Sequence, residues 1–191
     1  MLARTRLPVV LVVLLAALLG LAMPAGASPA AKEEPLDEGW IPATRRQRVD
    51  APSQSAGYVV GQIRIPAIGV DETVRAGVAD HIIDQGPAQW MGTASAGTAG
   101  NMVIAGHRTT HSAPFRHLDS LEHGDLVTVT DPNGFEVLYR VVESFVVTPD
   151  DVWITWDNGR PYVTLFACHP LGSAAQRIVV RAEMVAGRLI A

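Results

Sequence analysis

One cysteine occurs in 191 residues, so no internal disulfide can hold this chain together. Aromatic residues make up only 6%, and aliphatic side chains must fill the core instead. No run of Lys or Arg is present. With 15 basic and 19 acidic residues, the formal charge is −4 and a nucleic-acid footprint is excluded. No internal repeat or low-complexity tract appears. There is no Cys-x-x-Cys and no His-Glu-x-x-His. That leaves only a weak zinc signal in His107-x-x-x-His111 with His117, His123, Cys168 and His169. No metal and no cofactor are expected.

What is present begins with a leader. Arg4 and Arg6 precede an almost unbroken apolar run over residues 7–23. Pro24-Ala25-Gly26-Ala27-Ser28 follows, with small residues at Ala25 and Ala27. Residues 1–27 read as a secretory signal peptide with a cleavage site, or as an uncleaved N-terminal membrane anchor. The run has no polar face, which argues against a helix of a soluble core. The two arginines would stay inside and the remainder would be exported.

Residues 28–56 read as a flexible extracytoplasmic linker. They carry Pro29, Pro35, Pro42 and Pro52 among mixed charges, and cannot bury enough apolar area to offset their ordering entropy. Trp40 and Ile41 are the exceptions, apolar enough to dock on a domain.

From residue 57 the pattern changes to short apolar runs. Residues 57–65 alternate in their second half and stop at Pro66. Residues 68–74 are expected to form a second strand. Residues 79–85 suit one or two helical turns closed by Gly86-Pro87. A small-residue loop over 92–100 leads to a short buried strand at 101–107. Residues 114–121 suggest a helix, with Pro114 in its first turn and Phe115, Leu118 and Leu121 spaced i, i+3, i+6. After a strand at 126–129, Asp131-Pro132-Asn133-Gly134 is a strong hairpin turn into a return strand at 135–147. The loop 148–161 carries Trp153 and Trp156, which either anchor it in the core or line a peptide groove. Strands at 162–168 and 176–184 complete the domain. The expected class is all-β: an eight-stranded β-barrel with one or two short helices over residues 57–188.

The lone thiol of an exported chain is exposed to oxidants, so its retention asks for a reason. Nucleophilic catalysis is one; a buried small hydrophobe is the other. Its neighbours favour the first. Cys168 ends the β-favouring run Tyr162, Val163, Leu165, Phe166, and Pro170 stops it. Arg177 opens the next run, and His107 ends an upstream one. A thiol attacks as its thiolate, and an imidazole can take its proton. Arginine, permanently charged, can hold the oxygen that becomes negative. His107, Cys168 and Arg177 are therefore expected to meet as base/acid, nucleophile and oxyanion partner.

Gly106-His107-Arg108-Thr109-Thr110, then Thr164-Leu165-x-x-Cys168-His169-Pro170, then Gln176-Arg177 resemble the sortase family. With Ala113-Pro114-Phe115 and Leu118-Asp119, the closest resemblance is to the actinobacterial class E group, over about residues 57–186. The resemblance implies a membrane-bound cysteine transpeptidase on the extracytoplasmic face of a Gram-positive-type bacterium. Its partners would be secreted proteins with a C-terminal sorting signal of the Leu-Pro/Ala-x-Thr-Gly type, and a peptidoglycan-precursor amine. Cys168 would form a thioester with the Thr carbonyl and His107 would shuttle the proton. Arg177 would hold the oxyanion. Arg108, Thr109, Thr110, His111, Thr164 and His169 would contact substrate. Two departures stand out. Phe166 and Ala167 replace the usual pair of Thr before the Cys, and His111 replaces the usual Tyr.

Two other readings compete. One is an exported cysteine peptidase or L,D-transpeptidase-like enzyme. Papain-like enzymes, however, place Cys before His, and L,D-transpeptidases carry a His-Gly pair shortly before the Cys that this chain lacks. The other is a non-catalytic, membrane-tethered peptide-binding β-barrel, in which Cys168 would be buried and unreactive.

Overall fold

The computed structural model describes residues 56–189. The leader at 1–27, and the linker with its docking residues Trp40 and Ile41, lie outside the described residues except for Ala56. Among the described residues no helix is long and apolar enough to cross a membrane.

These residues fold into eight strands: β1 (Val59–Ile65), β2 (Val70–Ala76), β3 (Ala88–Gln89), β4 (Asn101–Ala105), β5 (Leu126–Thr130), β6 (Phe135–Val147), β7 (Tyr162–His169) and β8 (Gln176–Leu189). They close into a barrel in the order β1-β2-β3-β4-β7-β8-β6-β5. The β2–β3 and β4–β7 pairs are parallel, and the others are antiparallel. The expected eight-stranded barrel is thus what forms. Its helical content is small: one four-residue α-helix, α1 (Asp80–Ile83), and three short 3₁₀ turns.

Period-two alternation explains the closure. On β6, Val137, Tyr139 and Val141 point inward; on β7, Val163, Leu165 and Ala167 do; on β8, Ile178, Val180 and Ala182 do. They join Ile63, Ile65, Val74, Ile104, Val127 and Val129 in one aliphatic interior. Each fully buried Val, Leu or Ile contributes about 1.5–3 kcal/mol relative to exposure. Tyr139 is the polar exception. Its hydroxyl accepts from Gly97 N–H at 2.8 Å, tying the 92–100 loop to the wall, and burial pushes its pKa up.

Three expectations change. The second strand starts at Val70 rather than 68, because Pro66–Ile68 makes a 3₁₀ turn ended by Gly69. Gly69 takes φ 68°, a left-handed value that glycine adopts at little cost. The helix expected at 114–121 shrinks to the 3₁₀ turn Leu118–Ser120. The N–H groups of Arg116, Leu118 and Ser120 go three residues back, to Ala113 O, Phe115 O and His117 O, so the stretch winds as separate tight turns and not as an α-helix. Phe115, Leu118 and Leu121 are still buried, so the apolar spacing reported burial and not helix. Trp153 and Trp156 stay outside the core, each 38% exposed, and Ile154 and Thr155 between them are buried instead.

Candidate active site

Three neighbouring strands bring the expected residues together. β4 runs parallel to β7 with Ala105 opposite Phe166, and Gly106 N–H continues the ladder to Phe166 O at 3.1 Å. Carrying that register two residues further sets His107 beside Cys168. On the other side, Cys168 pairs directly with Arg177 across the β7–β8 ladder. Adjacent strands lie about 4.8 Å apart, so the backbones of His107 and Arg177 lie on either side of that of Cys168. Alternation fixes the face. Ala167 and Ile178 point into the barrel, so Cys168 and Arg177 point out. Cys168 is half-buried, which does not fit the sealed thiol of a non-catalytic barrel.

The backbone at His107 is held by crowding. A Cβ on Gly106 would stand 2.5 Å from Phe115 Cδ2, so only glycine lets the chain pass over that ring. His107 Nε2 lies 2.9 Å from Asp84 Oδ1, just past the end of α1. A carboxylate only accepts, so Nε2 carries the proton and Nδ1 is left basic. His111 Nδ1 is 3.4 Å from the same Oδ1, and the two imidazoles stack with centroids 4.9 Å apart. Asp84 was not among the residues expected from sequence. An aspartate ending a short helical turn reads as ordinary surface charge, and only the barrel topology brings it to His107.

Arg177 Nη1 donates to Ala174 O and Gln176 O, both at 2.8 Å, which holds the guanidinium at the mouth of the β7–β8 hairpin. Arg181, which lies four residue pairs away opposite Thr164, is committed elsewhere. It bonds Glu143 at 3.0 Å and lies 5.2 Å from the ring centres of Phe145 and Trp153. Its guanidinium is therefore already engaged by partners of its own.

The six residues expected to contact substrate divide. Thr109, Thr110 and His111 are exposed on the loop after His107, and His169 is half-buried beside Cys168. Arg108 and Thr164 correct the expectation. Arg108 is 2% exposed, with its guanidinium taken up by Asp119, Arg116 O and His169. Thr164 is fully buried and donates to Asn101 Oδ1 at 2.7 Å; Asn101 in turn donates to Ile154 O and Trp156 O. Both side chains brace the site from beneath and are closed to a substrate.

Next to Arg177 a cavity of about 230 Å³ is lined by Phe166, Trp90, and Thr148, Asp151, Ile154 and Thr155 of the β6–β7 loop. Phe166 faces it, with its ring 6.3 Å from that of Trp90. Of the two departures before the cysteine, Phe166 thus reshapes the outer surface, while Ala167 packs into the barrel. A larger cavity of about 350 Å³, lined by Tyr58, Val59, Met91 and Asp131 among others, includes none of His107, Cys168 or Arg177.

A closed barrel that brings a half-buried cysteine, a histidine and an arginine side by side on neighbouring segments is the frame of a cysteine-nucleophile enzyme. The sortase domain profile matches residues 63–185, and the chain belongs to the sortase family, whose members are cysteine transpeptidases. It is similar to sortase SrtE1 of Streptomyces coelicolor (33% identical over 99 residues, 47% of this chain and 28% of that protein). It is also similar to sortase D of Bacillus subtilis (26% identical over 133 residues, 68% of this chain and 65% of that protein). The chain therefore spans less than two thirds of each of these relatives. Among solved structures, sortase E1 of Streptomyces coelicolor with a tripeptide in its active site superposes with a TM-score of 0.65. The two are 27% identical, over 71% of this chain and 93% of that one.

Proposed function

We propose that this chain is a transpeptidase that cleaves a sorting signal of the Leu-Pro/Ala-x-Thr-Gly type between Thr and Gly. It would join the Thr carbonyl to an amine of a peptidoglycan precursor. The observation that carries the reading is the alignment of His107, two residues past the end of β4, with Cys168 on β7 and Arg177 on β8. Cys168 Sγ attacks the Thr carbonyl carbon, and the oxygen becomes an oxyanion facing Arg177. The C–N bond to Gly then breaks as His107 gives its proton to the leaving amine, and a thioester remains. The incoming amine attacks the thioester and loses a proton to His107, and Cys168 departs as thiolate. Thr109, Thr110, His111 and His169 line the approach. The cavity walled by Phe166 and Trp90 receives a substrate side chain. The tripeptide held by the Streptomyces coelicolor enzyme, on the same fold, supports a peptide ligand at this end of the barrel. Residues 1–27 would tether the enzyme to the membrane, with residues 28–56 as its extracytoplasmic stalk.

The test is a signal peptide and an amine acceptor incubated with the wild type and with Cys168→Ala. Mass spectrometry should find the acyl adduct on Cys168 and a transfer product. Unchanged turnover by Cys168→Ala would end the proposal. An adduct that gives only hydrolysis would make the chain a peptidase.

A further inference from the structure

We infer that Asp84, His107 and His111 form a site for a borderline divalent transition ion of the Zn²⁺ class, and that the ion, when bound, switches the enzyme off. The inhibitory part rests on the function proposed above; the binding part does not.

Three donor atoms, one from each residue, lie within 4.8 Å of one another. His107 Nε2 is 2.9 Å and His111 Nδ1 3.4 Å from Asp84 Oδ1. Zinc bonds of about 2.1 Å at tetrahedral angles put ligand atoms about 3.4 Å apart, so both measured edges are within half an ångström of that spacing. Two imidazoles and one carboxylate match the N/O donor preference of zinc. Three protein ligands leave a fourth position for water, the arrangement of an exchangeable site and not of a closed structural one. The side chains are 24%, 37% and 47% exposed for His107, Asp84 and His111, so an ion has an open path in.

The loop that carries the two histidines is already set. Phe115 N–H holds His107 O, and Ala113 N–H holds Thr110 O at 3.0 Å. Buried Arg108 pins the stretch between the histidines, and His111 is held at φ 55°. Little ordering remains for the ion to impose. Once bound, it occupies the lone pair of His107 Nε2 in place of the proton. The ring proton then sits on Nδ1, which can no longer accept one, and a metal-held neutral imidazole is a far weaker acid than imidazolium, so the acid/base is lost. Chelation restores it.

Calorimetric titration of the full chain with ZnCl₂ tests this directly. One ion per chain is expected. Asp84→Asn and His111→Asn should each weaken binding at least tenfold; asparagine suits His111 because it tolerates a left-handed backbone. Cys168→Ala should bind as the wild type does, and Co²⁺ should give a spectrum without thiolate charge transfer. Zn²⁺ should halt acyl transfer, EDTA should reverse this, and His111→Asn should need at least tenfold more Zn²⁺. Absence of a stoichiometric ion would overturn the inference. So would binding that survives both substitutions or depends on Cys168. Zinc binding with the expected variant pattern, in a metal-free chain that shows no transfer, would leave the site standing and remove the function proposed for it.

Discussion

Arg108 Nη1 lies 2.8 Å from His169 Nδ1, so the residue after His107 is tied to the residue after Cys168. Arginine only donates, hence His169 Nδ1 accepts and its proton sits on Nε2. Asp119, 2.5 Å from Arg108 Nη2, balances the buried charge. This cross-brace sets the spacing between base and nucleophile from below. Removing Asp119 leaves Arg108 charged, 2% exposed and without a counter-ion, held only by Arg116 O and His169. Asp119→Ala should cost about 3 kcal/mol, at the low end of the range because Asp119 is itself 41% exposed. Chemical denaturation measures it. Arg108→Ala should lower kcat about tenfold with KM little changed, since neither substrate nor thiol is touched.

Asp84 makes a separate claim on His107. Its carboxylate accepts from Nε2–H and so fixes the tautomer and orientation of the ring. Asp84→Asn keeps the shape and loses the charge. The expected result is a kcat about tenfold lower with unchanged KM and unchanged unfolding midpoint. Steady-state kinetics beside a thermal melt checks it. A kcat equal to that of the wild type would reduce Asp84 to a surface residue.

Gly106 is required by packing, not by backbone conformation. A methyl group there meets Phe115 at 2.5 Å, and Phe115 is itself fully buried. Overpacking of this kind costs about 1–3 kcal/mol. Because the displaced atoms adjoin His107, Gly106→Ala should lose activity at temperatures where it is still folded. Gly106→Ala combined with Phe115→Leu should recover part of both. Circular dichroism melts and turnover on the same samples separate the two effects.

Much of the barrel could be read from residue order because alternation and turn chemistry are local. Val137, Tyr139 and Val141 announce one face of β6, and Asp131-Pro132-Asn133-Gly134 announces its hairpin. What local pattern cannot carry is commitment of a group to a distant partner. The apolar spacing of Phe115, Leu118 and Leu121 was right about burial and wrong about helix, since the N–H groups of Arg116, Leu118 and Ser120 close tight i−3 turns instead. Arg108 and Thr164 have the polarity of substrate contacts, but their bonds go to Asp119, His169 and Asn101. Asp84 was missed for the same reason: its partner His107 is 23 residues away.

The β6–β7 loop should open in acid. Asp151 accepts from Thr148 Oγ at 2.6 Å, from Thr148 N–H at 2.7 Å and from Trp153 Nε1 at 3.0 Å. These bonds, those from Thr148 foremost, hold its pKa below the ordinary aspartate value. A lowered carboxylate pKa means that folding favours the charged form. Its stabilisation is complete above the ordinary value of about 3.9 and is lost as pH falls through the lower folded value. Trp153 stacks on Phe145 with ring centres 5.6 Å apart, and Thr148 and Asp151 wall the cavity beside Arg177, so the loss reaches the site. The protection of amides over residues 148–156, relative to their intrinsic exchange rate at each pH, should hold from pH 7 to pH 5 and fall below about pH 4. Asp151→Asn should exchange fast already at pH 7 and show little further response. If wild type and variant exchange alike at pH 7, Asp151 does not hold the loop.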